Sequence, residues 1–372
     1  MKGGQTMKMK AAVLYEANTP LKVEKVNLDE PQVNEVLVKL VASGVCHSDL
    51  HFMKGEMYTP MPTVVGHEGA GIVEKVGPGV TSLAPGDHVI TMVSFGCGRC
   101  RFCSEARPTL CVENLPVMAG AMLPVSGATR LSKGDQALHH LFGLAAFAEY
   151  TVVHERSCVK IREDAPLDKV CLLGCGVATG IGAAINTAGV RPGESIVIWG
   201  AGGVGLSAIM GAKLAGAGKI IAVARNPKKL ALAKKFGADH VVNATEEDPV
   251  AKVMELTGGG ADYAIESAGK TEVMQQAYAS IHNGGKCIVA GMAALGTTVT
   301  IQSYELLLAK TLTGTVQGDI RAQVDIPRFV DMFMEGKLPF DKMISKVYTL
   351  DQVNEAFAAL EKGEVIRSVI KL

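Results

Sequence analysis

Four cysteines fall within fifteen residues, Cys97, Cys100, Cys103 and Cys111. Three stand at intervals of three in Cys-Gly-Arg-Cys-Arg-Phe-Cys, and the fourth closes after a short excursion. Backbone turns at that spacing can bring four sulfurs to the corners of a tetrahedron ~2.3 Å from one ion, as a closed structural zinc site requires. A disulfide pair or free thiols are the alternatives, and nothing in the sequence suggests secretion, where disulfide scaffolds belong. Upstream lie Val45-Cys46-His47-Ser48-Asp49-Leu50-His51 and Gly66-His67-Glu68-Gly69; further on comes Leu173-Gly174-Cys175-Gly176. Cys46, His67 and Cys175 offer two thiolates and an imidazole, which with water in the fourth position make a catalytic zinc set. Spacing alone does not connect residues so far apart. Ordinary buried cysteines remain the alternative at this level.

A third chemistry is written at Gly200-Ala201-Gly202-Gly203-Val204-Gly205. This G-x-G-x-x-G follows an apolar strand and opens a helical run, with a second strand ending near Val223. The first glycine permits the tight turn, the second lets backbone approach a pyrophosphate, and the third allows close helix–strand packing. A glycine-rich turn without a ligand is the alternative. About 20 residues on, an acid normally bonds the adenosine ribose of NAD. Here the sequence reads Val223-Ala224-Arg225-Asn226. Ala224 removes the repulsion a 2′-phosphate would meet and Arg225 can pair with it, so the reading favours NADP. If Arg225 instead points to solvent, NAD is the cofactor.

Two textures of chain must position these groups. From Lys8 to about Thr151, short apolar alternations broken by Gly, Pro and Asp predict strands at Met9 to Tyr15, Glu35 to Val41, Gly69 to Val76 and Asp87 to Met92, an antiparallel barrel-like domain. From about Ser195, strands at Ser195 to Trp199, Lys219 to Val223, His240 to Val242, Ala261 to Ile265 and Lys286 to Ala290 alternate with helices such as Pro227 to Phe236 and Thr271 to Ile281. That rhythm predicts a parallel sheet with helices on both faces. Helices at Ile326 to Glu335 and Leu350 to Leu360 and a strand at Ser368 to Leu372 complete the chain. At 372 residues two domains are expected, since single cores stop growing near ~250–300 residues.

Composition narrows the partners. With 37 basic and 37 acidic side chains, nucleic acid and anionic membrane are poor candidates. Met1 to Lys10 has lysines but no apolar core of leader length. Residues 195–212 carry no charge, yet their five glycines suit a buried strand turning into a helix better than a membrane span. Clustered metal-binding thiols then suggest the cytoplasm.

The pieces Gly-Val-Cys-His-Ser-Asp, Gly-His-Glu-Gly-Ala-Gly, Cys-x-x-Cys-x-x-Cys-x7-Cys, Leu-Leu-Gly-Cys-Gly and Gly-Ala-Gly-Gly-Val-Gly occur in this order. Together the chain resembles the zinc-dependent alcohol dehydrogenases of the medium-chain dehydrogenase/reductase superfamily, from about residue 9 to the end. The resemblance implies an α/β protein: a GroES-like β-barrel catalytic domain, 1–176 completed by 320–372, and a Rossmann doubly wound parallel-sheet domain, 177–319. It implies two zinc ions per chain, a catalytic one on Cys46, His67 and Cys175 and a structural one on the four clustered cysteines. A zinc with one open position lowers the pKa of an alcohol oxygen bound there. The resemblance further implies a proton relay from Ser48 through a cofactor ribose hydroxyl to His51, with hydride passing to the nicotinamide. Ser48 as a turn residue and His51 as a surface histidine are the plainer readings. Glu68 and Asp49 flank the ligands, where they orient His67 or approach zinc; Asp49 as a helix cap is the alternative. His47 and Arg367 match pyrophosphate contacts, Lys229 a lysine near the adenosine ribose, and Thr179 a residue beside the nicotinamide. Lys229 is otherwise one solvated lysine among several. Cys158, Cys171 and Cys287 have no partner motif and read as small core residues.

Matching to that family implies substrate-pocket positions at Met57, Val93, Leu115, Phe142 and Ala294, all apolar, favouring a bulky aromatic, allylic or medium-chain alcohol or aldehyde. Asp-Lys-Val-Cys-Leu-Leu-Gly-Cys-Gly is similar to the glutathione-dependent formaldehyde dehydrogenase branch. The arginine that branch places after the fourth cysteine is replaced by Val112-Glu113-Asn114-Leu115-Pro116, and the loop after His51 is short, with Glu56 nearby. In the family that this chain resembles, an excursion such as Val112 to His140 goes with dimeric members more than tetrameric ones, so the resemblance implies a dimer. Two rivals follow: a thiol-dependent formaldehyde dehydrogenase, and a non-catalytic nucleotide or redox sensor.

Overall fold

The computed structural model describes residues 6–94 and 96–372. Of the stretch weighed above as a leader, residues 1–5 lie outside the described residues. The chain divides into two compact units, one running to Cys175 and resuming over Arg321–Leu372, the other Gly176–Ile320.

In the first unit, five strands close into a barrel in the order Met7–Leu14, Lys22–Leu28, Leu131–Lys133, Gln136–His140, Thr63–Val64. Alternation in Met7–Leu14 sends Met9, Ala11 and Val13 to one apolar cluster, while Ala12 and Leu14 enter another. Both faces of that strand are therefore buried, which accounts for its weak polar alternation. A second sheet runs Cys158–Lys160, His88–Thr91, Glu68–Val76, Glu35–Val45, Arg367–Lys371, Ile344–Thr349, with Tyr150–His154 also pairing Glu35–Val45.

The stretch 112–140, read from sequence as one excursion, holds a helix, Asn114–Gly120, and two barrel strands. Those strands are three and five residues long and carry Lys133, Gln136 and His139. So short and polar a run gives no periodic signal. What fixes it is a tertiary contact: Arg130 donates to both carboxylate oxygens of buried Glu35, at 2.7 and 2.8 Å.

The second unit has six parallel strands in the order His240–Asn243, Lys219–Ala224, Ser195–Trp199, Ala261–Glu266, Ile281–Val289, Thr311–Gly314. Central strands of such a sheet are covered on both faces and read as unbroken apolar runs, as Ile196 to Trp199 does. Turn chemistry delimits the helices. Asn226 accepts from Lys228 N ahead of Pro227–Phe236, and Gly237 ends that helix at φ +119°. Among the described residues no single helix is long and apolar enough to cross a membrane.

Candidate metal and cofactor site

Strand register brings the distant candidate ligands together. Glu35–Val45 and Glu68–Val76 are antiparallel with Gly44 opposite Glu68. Cys46 leaves the first strand where His67 enters the second, so their side chains emerge side by side. Arg367–Lys371 pairs on the other edge of Glu35–Val45, with Ser368 opposite Val45, which sets Arg367 beside the same point. Cys175 arrives on the turn Cys171–Gly174. That turn lies so close to the sheet that a Cβ on Gly174 would stand 2.9 Å from Glu68 Cα and 3.1 Å from Thr91 O. A side chain there would push Cys175 away.

The ligand atoms of Cys46, His67, Glu68 and Cys175 all lie within 4.8 Å of one another. His67 is fully buried; its Nδ1 is 3.0 Å from Asp49 Oδ1, which also accepts from Gly66 N at 3.0 Å. Its Nε2 is buried with no hydrogen-bond partner. A buried nitrogen is seldom left orphaned, and one aimed at two sulfurs suits a metal. Zinc fits this donor set: thiolates and imidazole, with Asp49 fixing the tautomer that leaves Nε2 as the ligating lone pair. Charge follows the same geometry. The hydrogen bond with Cys175, opposed by burial and aided by His67, holds the Cys46 thiol well below its ordinary range. The same bond, with burial, pushes Cys175 up. Burial disfavours charge on His67, yet Asp49 and Cys46 together raise its proton affinity well above that of an ordinary histidine.

Glu68 is fully buried and pairs with the guanidinium of Arg367, itself 4% exposed. The sequence reading placed Arg367 at a pyrophosphate; in the structure its Nη2 donates to Glu68. An arginine inside the apolar run Val365-Ile366-Arg367-Ser368-Val369 was the available signal that it needs a buried acid. Ser48 and His51 share the helix His47–Met53 with exposed His47. Ser48 Oγ is 3.7 Å from Cys46 Sγ, and His51 Nδ1 is 2.5 Å from Glu56 Oε2. Phe142 packs edge-on against His67, ring centroids 5.2 Å apart, and edge-on against Phe52 at 5.2 Å. Val93 is buried and Met57 half-buried in the same apolar cluster. Leu115 is 70% exposed on its helix, apart from that cluster.

The four clustered cysteines likewise have their sulfurs within 4.8 Å, with Cys97 and Cys103 4.0 Å apart. A tetrahedron of ~2.3 Å bonds has edges of ~3.8 Å, so this group also fits zinc. Backbone N–H groups near Cys103 and Val112 draw the Cys100 thiol down to about 6, while burial pushes Cys103 up to about 12. Cys158, Cys171 and Cys287 are buried with burial raising each thiol, to about 12 at Cys158 and Cys287.

In the second unit, Gly200 has φ +104°, and a Cβ on Gly205 would overlap the carbonyl of Gly200. Beside Gly202 there is open space. The glycines thus tighten the turn and leave the start of helix Gly203–Leu214 uncovered, a cradle that fits a dinucleotide phosphate. Ala224 ends its strand half-buried, Arg225 is exposed, and Lys229 is half-buried with burial lowering its pKa. Thr179 is buried in helix Gly176–Gly182, and Ala294 is half-buried beyond strand Ile281–Val289.

The alcohol dehydrogenase GroES-like domain matches residues 32–163 and the zinc-binding dehydrogenase domain residues 203–335. The alcohol dehydrogenase class-3 of Drosophila melanogaster is 42% identical over 99% of this chain and 98% of its own. The chain belongs to the zinc-dependent alcohol dehydrogenases of the medium-chain dehydrogenase/reductase superfamily. Among solved structures, the alcohol dehydrogenase zinc-binding domain protein of Burkholderia ambifaria is 39% identical with a TM-score of 0.95, covering 99% of this chain and 100% of that one. The benzyl alcohol dehydrogenase of Acinetobacter calcoaceticus is 38% identical with a TM-score of 0.93, covering 98% and 99%. This dehydrogenase is accordingly an NAD(P)-dependent oxidoreductase acting on small-molecule alcohols, with the zinc its family carries.

Proposed function

We propose that the enzyme interconverts a bulky hydrophobic alcohol and its aldehyde or ketone at Cys46, His67 and Cys175, with NADP the favoured cofactor. The observation that carries the site is the orphaned Nε2 of His67 facing two sulfurs. A bound zinc supplies Lewis-acid polarisation of the substrate oxygen, and a bound nicotinamide the hydride acceptor. The chain's residues do the rest. Asp49 keeps His67 oriented, and the Ser48 hydroxyl takes the alcohol proton toward His51. Arg367 pairs with Glu68 behind the ligands. Phe142 covers His67 and keeps water from it. Cys97, Cys100, Cys103 and Cys111 hold a second zinc, which stabilises their lobe.

The aromatic pair Phe142 and Phe52 beside His67 supports a benzylic or similarly wide substrate, as does the likeness to a benzyl alcohol dehydrogenase. Exposed Leu115 gives no support within its own unit. The absence of an acid at Ala224 supports NADP, whereas the exposed Arg225 fits the alternative, NAD. The edge strand Thr311–Gly314, near exposed Tyr304, Leu306 and Leu307, supports a dimer formed with a second copy; a single-chain mass in solution would remove that reading. Nine cysteines, none of them paired in a disulfide, support residence in the cytoplasm.

A second reading, a thiol-dependent formaldehyde dehydrogenase, is favoured by the phrase Asp168 to Gly176 and weakened by exposed Val112 where an arginine is expected. A panel of alcohols and aldehydes assayed with NAD and NADP, with and without glutathione, separates the two. Thiol-independent turnover of benzylic alcohols with higher kcat/KM for NADP is expected. Formaldehyde oxidation restricted to added thiol would overturn it.

A further inference from the structure

Helix His47–Met53 ends in a tight turn in which Gly55 has φ +68° and Glu56 N donates to His51 O at 2.9 Å. The turn folds the Glu56 side chain back until Oε2 lies 2.5 Å from His51 Nδ1. An ionised carboxylate can only accept a hydrogen bond. The proton in this contact therefore sits on Nδ1, and Nε2 keeps its lone pair. Both side chains line an open depression of about 190 Å³ with His47, Leu50, Lys54 and Glu361. Lys54 Nζ is 2.5 Å from Glu361 Oε1, so its ammonium is engaged there. The charged and titratable groups around the imidazole are thus His47, Lys54, Glu56 and Glu361.

We propose that Glu56 is a positioning residue that holds His51 in its Nδ1–H form, so that Nε2 is the proton acceptor at the end of the relay. This rests on the relay reading above, in which the proton leaving Ser48 reaches His51. Nε2 gains one proton, and the resulting imidazolium is stabilised by the Glu56 carboxylate. Nε2 then gives one proton to water in the depression, and the ring returns to its starting form. A carboxylate that orients an imidazole and stabilises its cation, without itself becoming protonated, does the same in other acid–base dyads.

The test uses the full zinc-loaded chain and its variants Glu56→Ala, Glu56→Gln and His51→Gln. Two readouts are taken. One is the rate of proton release after mixing with alcohol and cofactor, followed with an indicator dye. The other is the tautomer of the His51 ring from ¹⁵N NMR, assigned by its disappearance in His51→Gln. Glu56→Ala should slow proton release about tenfold or more, move the ring toward the Nε2–H form, and recover in part with added acetate. Glu56→Gln, which keeps an acceptor but loses the charge, should hold the tautomer and lose part of the rate. Wild-type release with an unchanged tautomer in Glu56→Ala overturns the proposal while leaving the relay standing. Slowed release that acetate does not rescue, at unchanged tautomer, also overturns it. Normal release in His51→Gln removes the relay itself, and the proposal with it.

Discussion

Asp49 should control zinc affinity at the Cys46, His67 and Cys175 site more than any residue that does not touch the metal. Its Oδ1 accepts from both Gly66 N and His67 Nδ1, and the carboxylate is fully buried. Asp49→Ala leaves two buried N–H groups unpaired, at about 1–3 kcal/mol each, so about 2–6 kcal/mol in all. Asp49→Asn is subtler. Its amide oxygen can keep both bonds. Turning the amide to present NH₂ to His67 would oppose the Gly66 N–H, so the ligating tautomer is retained. What is lost is the negative charge behind the ring. Loss of such an outer partner lowers metal affinity about 10–100-fold, or about 1.4–2.8 kcal/mol. The assay is zinc release to a chelating indicator, with a melting curve alongside. In the wild type two phases are expected, one for each site. In Asp49→Asn the phase belonging to the Cys46 site should move to about 10–100-fold weaker competition, with the four-cysteine phase unchanged. Two unaltered phases in Asp49→Asn, or wild-type melting in Asp49→Ala, would refute the reasoning.

The two metal groups should separate by mutation. Cys46→Ser should abolish turnover with little change in melting, while Cys100→Ser should lower stability first, because a structural zinc contributes folding energy; equal loss of activity at intact melting in both contradicts the division. In the second unit, His282 Nε2 bonds Asp262 Oδ1 at 3.1 Å, and Ser195 N and Oγ bond Asp262 Oδ2 at 2.7 and 2.6 Å. The bond to Asp262 raises His282 against burial; Asp262, which burial would raise, is lowered by Ser195 and His282. The acid's share of stability is present above ~3.9 and lost as pH falls, and the histidine's is present below ~6.5 and lost as pH rises through its raised value. Both partners are more than a third exposed, so the pair contributes under ~1 kcal/mol. His282→Gln should therefore melt about 1 °C below wild type near about pH 5.5 and level with it in alkali. An equal deficit at both pH values would reject the linkage.

How much of this was legible in the sequence differs by kind of signal. The parallel sheet was, because strands buried on both faces are unbroken apolar runs and their helices carry caps and glycine stops. The reading of Pro227 to Phe236 coincides with the observed helix, bounded by Asn226 and Gly237. The barrel was legible only in its long strands. Lys22–Leu28 hides behind Lys22, Glu24 and Lys25, and the strand pair at 131–140 depends on Arg130 finding Glu35, a contact ninety-five residues away in sequence. Such strands exist because of their partners, so no local pattern announces them.

The proposed metal site lies between these cases. Residue type pointed to Cys46, His67 and Cys175, yet their spacing could not join them. The register of two strands does so, with Gly44 opposite Glu68, and a glycine turn admits the third ligand. The same register explains what the motif left unread. A buried acid next to a ligand needs a buried base, and the strand that pairs on the far edge of Glu35–Val45 delivers Arg367 to Glu68. Asp49, by contrast, lies three residues after a ligand on the helix that ligand opens, so local geometry holds it near Cys46, and the strand register then brings His67 to it. Support for the metal is therefore written partly in local helix geometry and partly in long-range sheet pairing. Only the first kind can be read from sequence spacing.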